Sequence, residues 1–241
     1  MLADWSKRNM TVSRWFVSTF CKSASARTIR TNTTLRSESE LRSDYGEPME
    51  LALKKQLGKL DVYCKDFISR SPFLCIGTSA ADGKADVSPR GDPPGFVQVL
   101  DDNTIFIPDR PGNNRLDSMS NIVENSNVGI LFMIPGYEDT LRVNGKARIV
   151  KDEKILERCA VNSKVPKMGI MVDVHEAYLH CAKALKRSKL WHPDSRQDRK
   201  EMPTLAKMIL EQASPSDKQP TKQEVNEGDE FIEDNYKTGL Y

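Results

Sequence analysis

The hydrophobic positions change period along the chain, and each change marks an element. Leu53, Leu57, Leu60, Cys64 and Phe67 recur at steps of 4, 3, 4 and 3 and stop at Ser71-Pro72, which predicts one helix with a buried face. Upstream, Ser37-x-x-Glu40 has the form of a capping box and predicts a helix start. From Phe73 the period shortens to two. Phe73–Ser79 and Ala85–Ser88 flank Ala81-Asp82-Gly83-Lys84, whose Asp-Gly pair signals a hairpin. Gly95–Leu100 and Thr104–Ile107 predict a second hairpin across Asp101-Asp102-Asn103. Leu116, Met119, Ile122 and Val123 share one side of a short helix, and strands Val128–Ile134 and Thr140–Val150 follow around the Pro135-Gly136 turn. A helix near Asp152–Val161, a strand over Gly169–Val174 and a helix over Ala177–Arg187 complete the pattern. Several strands at short spacing with few helices predict a mainly β fold with flanking helices, an antiparallel barrel closed or nearly so.

At 241 residues and 38% hydrophobic the chain can bury one sizeable core, so one main domain is expected over residues 37–213. It lies between a basic Ser/Thr-rich extension, residues 1–36, and an acidic C-terminal tail, residues 214–241, whose default is solvated chain. Phe231, Ile232, Tyr236, Leu240 and Tyr241 in that tail offer a way to dock on the body or on a partner subunit. The longest apolar runs are strand-sized, far short of the roughly 20 residues that cross a bilayer. Five cysteines lie scattered with no Cys-x-x-Cys pair, which fits a reducing compartment.

Charge is unevenly placed. Residues 1–36 carry seven Lys/Arg against Asp4, a net of +6, so residues 37–241 sum to −4 within a chain of net +2. A mildly acidic body argues against a nucleic-acid binder and against a membrane surface as partner. The basic segment, with an amphipathic stretch at Ser13–Phe20, reads as a mitochondrial transit segment or as a disordered extension, so the location expected is mitochondrial or cytoplasmic.

Metal and hydrolase chemistry find no footing. His175-Glu176-Ala177-Tyr178-Leu179-His180 has one residue too many for a zinc-protease motif, and an i, i+5 pair on a helix sits about 140° apart. The reading is a strand-to-helix junction with ordinary histidines. There is no Gly-x-Ser-x-Gly elbow, P-loop or Gly-x-Gly-x-x-Gly turn.

Four polar segments remain. Pro108-Asp109-Arg110-Pro111-Gly112-Asn113-Asn114-Arg115 leaves a strand and delivers two Asn side chains and an Arg to a helix start, where unpaired N–H groups favour a phosphate. A tight turn with a capping Asn is the alternative. Ser88-Pro89-Arg90-Gly91-Asp92 ends a strand in a stiff loop, and Arg90 can serve a phosphate or simply shape the loop. Thr140 and Arg142 share one face of a strand, bordering a ligand or open to solvent. Lys183–Trp191 joins a basic helix end to a large aromatic, commonly solvated charge beside core packing.

Taken with Ser71-Pro72-Phe73, these segments in this order resemble the pyridoxamine 5′-phosphate oxidase-like superfamily, in particular its FMN-dependent branch with a Ser-Pro-Arg-Gly-Asp loop. The resemblance covers most of residues 40–241. It implies a split β-barrel that forms a homodimer and holds FMN between subunits, an oxidoreductase passing hydride through flavin N5 to a small-molecule substrate that the sequence does not identify. It implies cofactor contacts at Asn113, Asn114 and Arg115 for the phosphate, with Pro108, Asp109 and Arg110 beside the ribityl chain or ring. Arg90, Asp92, Thr140 and Arg142 fall near the flavin, and Arg187, Ser188 and Trp191 in the segment that closes the site. No catalytic side chain is assigned. The chain departs from the vitamin B6 oxidases: Asn113-Asn114-Arg115 stands where they end in Ser-Arg-Lys, and their C-terminal Arg-Leu-His segment is missing. A non-catalytic flavin- or haem-binding module and a deazaflavin-dependent reductase share the resemblance.

Overall fold

Period-two segments become strands here where alternate side chains find a core to enter, as Leu74 and Ile76 do within Phe73–Ser79. The computed structural model describes residues 34–241, so the amphipathic Ser13–Phe20 stretch and nearly all of the basic extension lie outside the described residues. Residues 34–48 belong to a unit of their own. It holds α1 (Glu38–Tyr45), capped by Ser37 Oγ, which accepts from the Glu40 N–H. The Glu40 carboxylate reaches back to the Arg36 N–H at 2.7 Å, one residue earlier than a capping box requires.

The second unit, Met49–Tyr241, is built on seven strands among the described residues. They are β1 (Phe73–Ser79), β2 (Ala85–Gly91), β3 (Gln98–Val99), β4 (Thr104–Pro108), β5 (Asn127–Met133), β6 (Thr140–Val150) and β7 (Gly169–His180). All pair antiparallel in one sheet of order β2-β1-β5-β6-β7-β4-β3. Helices α2 (Glu50–Lys54), α3 (Val62–Arg70), α4 (Asp117–Glu124), α5 (Glu153–Arg158), α6 (Lys183–Ser188), α7 (Leu205–Ala213) and α8 (Lys222–Thr238) flank it in sequence. The expected mainly β, antiparallel architecture with flanking helices is what the chain adopts, consistent with a split barrel. No described helix is long and apolar enough to cross a membrane.

One face of the sheet makes the core. Leu74, Ile76, Ile105, Ile107, Ile130, Phe132, Leu141, Val143, Ile170 and Val172 are buried together with Leu60, Cys64 and Ile68 from α3 and its approach. Each side chain so buried contributes about 1.5–3 kcal/mol relative to exposure. The Asp82-Gly83 hairpin forms as its sequence predicts, with Gly83 at φ +85°, a conformation that costs glycine little. Pro89 and Arg90, expected in a loop, belong to β2. Proline is tolerated there because β2 is an edge strand of the sheet.

Two expectations fail, and one contact explains both. The predicted helix through Leu53, Leu57 and Leu60 is broken, and the predicted helix from Ala177 starts instead at Lys183. Leu57 and Ala177 form a β-bridge, their N–H groups donating to each other's carbonyls at 3.0 and 2.9 Å. That bridge pulls Leu57 out of helix and holds β7 extended to His180, paired with Thr140 of β6. His175 and His180 therefore stand on β7, not at a strand-to-helix junction. The region after Ser214 is also more ordered than a solvated tail: Thr221 and Glu224 complete a capping box that starts α8.

Candidate functional site

The edge strand β2 and the exit of β4 face one groove of about 940 Å³. Its lining includes Ser88, Arg90, Pro108, Asp109, Arg110, Asn113, Asn114 and Arg115. The local sequence explains how they meet. Arg90 is opposite Leu74, and Ser88 opposite Ile76, so both point to the core side of the sheet at its open edge. Pro108 is opposite Gly169 on β7, and the Asp109 N–H extends that pairing by donating to Met168 O at 3.0 Å. A Cβ on Gly169 would lie 2.2 Å from Phe106 Cζ, so glycine is what lets β4 and β7 close beneath the groove.

After Asp109 the chain crosses to α4 through two left-handed residues, Asn114 (φ 57°) and Leu116 (φ 58°). Asn113 Oδ1 accepts from the Arg115 N–H at 3.1 Å, which fixes the turn. Leu116 supplies no side-chain cap, so the first N–H groups of α4 have no side-chain acceptor from the N-cap residue. The helix is fastened behind the groove by buried Met119 and Ile122, by Ser118 Oγ donating to Asp86 at 3.4 Å and by Asn121 donating to Thr78 at 3.0 Å. Arg115 Nε donates to Asp117 at 2.7 Å, leaving the rest of an exposed guanidinium toward the groove mouth.

Arg110, held from beneath by Asp92, forms part of the polar lining. Arg110 Nε donates to Asp92 Oδ2 at 2.6 Å, and Nη2 donates to Cys159 O at 2.9 Å. Asp92 Oδ1 accepts from the Tyr241 hydroxyl at 2.5 Å. Asp92 thus acts as a clamp under Arg110, with a side chain 1% exposed, and not as a groove-lining contact. Arg90 Nη1 donates to Ser88 Oγ and, at 2.9 Å, to Pro89 O. Asp109 is half-buried between the two arginines. Burial pushes its carboxyl above the ordinary value, while Arg90 and Arg110 pull the other way.

Five expected contacts gather elsewhere. Thr140 is buried at the start of β6, and Arg142 lies over the Tyr178 ring at 5.6 Å, with Lys55 over the same ring at 5.7 Å. Burial, then Arg142 and Lys55, push the His180 imidazole below its usual value. Trp191 Nε1 donates to Tyr137 O at 2.7 Å, Ser188 Oγ caps back to Leu185 O at 3.1 Å, and exposed Arg187 stands beside it on α6. The register Arg90–Leu74–Phe132–Leu141 puts three strand steps between the groove and this cluster, roughly 14 Å. Within one chain, Thr140, Arg142, Arg187, Ser188 and Trp191 do not line the groove.

Sequence reasoning missed Lys164, Lys167 and Tyr241, which form the groove's other wall. Only the aromatic residues of the tail hinted at this, since nothing local tells which of them docks.

The model of the family described as pyridoxamine 5′-phosphate oxidase matches residues 60–191, more than half of the chain. A search of curated proteins finds no match. Among solved structures the chain is similar to HupZ of Group A Streptococcus, at 19% identity over 50% of this chain and 93% of that one, with a TM-score of 0.41. General Stress Protein 26 of Bacillus anthracis str. Sterne matches at 17% identity over 54% and 94%, TM-score 0.38. An FMN-binding protein of Syntrophomonas wolfei subsp. wolfei matches at 9% identity over 59% and 96%, TM-score 0.38.

Proposed function

The chain belongs to the pyridoxamine 5′-phosphate oxidase family, and from that premise we propose that it binds FMN in the β2–β4 groove and acts as an FMN-dependent oxidoreductase. The observation that carries the reading is the convergence of Arg90, Pro108–Arg110 and Asn113–Arg115 on one groove of a size that suits a small cofactor. The donor set fits the group. The uncapped α4 N-terminus, the Asn113 and Asn114 amides and the Arg115 guanidinium offer charge-assisted donors for a phosphate. Pro108 to Arg110 would border the ribityl chain and ring, and Arg90 would offer a cation to the ring. FMN, when bound, supplies hydride chemistry at N5, so the chain's own task is binding, orientation and electrostatics. Arg90 and Arg110 hold positive charge at the groove wall, and Asp109 holds a proton more readily than an ordinary carboxyl there.

The same reading includes a homodimer with flavin between subunits. Phe73, Cys75, Leu131 and Met133 share the outer face of the sheet, half-buried, with Arg142 and Tyr178 continuing the row. Val87 lies on that face through its pairing with Gly77, is 69% exposed, and also lines the groove. The groove therefore opens onto the face, where a second copy would bring Thr140, Arg142, Arg187, Ser188 and Trp191 of its own toward the ligand.

The test is the visible absorbance of the full chain titrated with FMN, beside an Asn114→Ala/Arg115→Ala variant. A perturbed flavin band retained through gel filtration, and lost in the variant, supports the cofactor and its clamp. Absence of uptake by the unaltered chain overturns the reading. Bound FMN that dithionite reduces, but that neither NADH, NADPH nor any small-molecule substrate reduces, would mark a non-catalytic flavoprotein.

A further inference from the structure

Tyr241 is 149 residues from Asp92 in sequence, yet its hydroxyl donates to Asp92 Oδ1 at 2.5 Å. Two further contacts hold it. The Arg110 guanidinium lies over its ring at 5.3 Å, and Lys164 Nζ donates to its backbone oxygen at 2.6 Å. The neighbouring carboxylate keeps the phenol's pKa above its ordinary value, so the hydroxyl remains a donor through neutral pH.

The arrangement divides the work of one carboxylate. Oδ2 takes Arg110 Nε and Oδ1 takes the phenol, so both oxygens of a side chain 1% exposed are engaged. A buried ion pair holds its geometry only when its remaining acceptors are satisfied, and here Tyr241 satisfies them. Arg110 is in turn fixed at Nε by Asp92, at Nη2 by Cys159 O and on its face by the Tyr241 ring. Its Nη1 has no hydrogen-bond partner among the described residues, and the side chain lines the groove.

We propose that Tyr241 is a positioning residue of the groove: acting through Asp92 and through its ring, it holds Arg110 so that Nη1 is presented to an anionic or carbonyl oxygen of the bound ligand. This rests on the FMN reading for the identity of the ligand, but not for the contact itself. Because the tie runs both ways, a ligand that uses Arg110 must also steady the segment that carries Tyr241.

The experiment compares the full chain with Tyr241→Phe, Arg110→Ala and the double variant. FMN affinity is read by fluorescence quenching, and amide hydrogen exchange is followed over residues 108–115 without ligand. Tyr241→Phe keeps the ring and removes one hydroxyl, so folding is retained and a melting curve checks it. The expected result is an FMN affinity about tenfold weaker in Tyr241→Phe, the scale of one hydrogen bond to a charged group. The loss should vanish in the Arg110→Ala background, which a general structural effect would not do. An unchanged affinity, or a loss that simply adds to that of Arg110→Ala, overturns the proposal. If the unaltered chain binds no FMN, the function reading fails separately and exchange decides: faster exchange over residues 108–115 in Tyr241→Phe sustains the positioning role, and unchanged exchange ends it.

Discussion

Arg110 donates to Asp92 at 2.6 Å across a gap of 18 residues, tying the loop after β4 to the end of β2 with side chains 17% and 1% exposed. Removing one partner of such a pair leaves the other charge with poor solvation. Asp92→Ala is therefore expected to destabilise the chain by about 3 kcal/mol, the lower end of what breaking a buried pair costs, because Arg110 keeps some access to water. Urea denaturation measures it. A loss under about 1 kcal/mol would place the pair with ordinary surface bridges.

Arg115 and its Asn neighbours are expected to recognise phosphate and nothing else of the ligand. Arg115→Ala should weaken FMN about tenfold while leaving riboflavin, which lacks the phosphate, unaffected. Paired titrations at fixed salt check it. Equal losses for both ligands would move the clamp away from the phosphate.

Asp109 gives a pH dependence with a definite sign. Its folded-state pKa lies above the ordinary carboxylate value because of burial, so the folded chain binds more protons than the unfolded one in the window between the two. The stability it contributes is present below that window and is lost as pH rises through the raised pKa. Asp109→Asn, which has no charge to bury, should therefore raise the melting temperature at pH 7 and leave it little changed near pH 3. A variant less stable at pH 7 would show that Arg90 and Arg110 outweigh burial.

How much of this was legible turns on the reach of each contact. Thr140–Val150 and Phe73–Ser79 have the bounds their alternation predicts, because inward positions such as Leu74, Ile76, Leu141 and Val143 declare themselves locally. The Leu57–Ala177 bridge does not. It joins backbone atoms 120 residues apart, so one unseen contact misassigned two elements. The groove was legible in the same uneven way. Arg90 and Pro108–Arg115 carry turn and anion signals in their own sequence, whereas the engagement of Asp92 by Arg110 and Tyr241 exists only after folding. Thr140, Arg142 and Trp191 show the limit most sharply: a single chain places them across the sheet from the groove, and it is the proposed second copy that would bring such residues to it.

That last step has its own test. Leu131 lies half-buried on the outer face opposite Arg142, inside the apolar row that includes Cys75 and Met133. Leu131→Lys puts a second cation beside Arg142 and a charge where the proposed partner seats, with no core position altered, since the core-facing neighbours are Ile130 and Phe132. The expected outcome is a normally folded chain whose dimer association is weakened by about a hundredfold, the scale of losing an interface anchor. Sedimentation velocity across a dilution series measures the assembly, and FMN titration at the same dilutions measures the site. If flavin affinity falls in step with the dimer, the groove is completed by the second copy. If the dimer dissociates and FMN binds undiminished, the β2–β4 groove is sufficient by itself and the Trp191 cluster serves the fold.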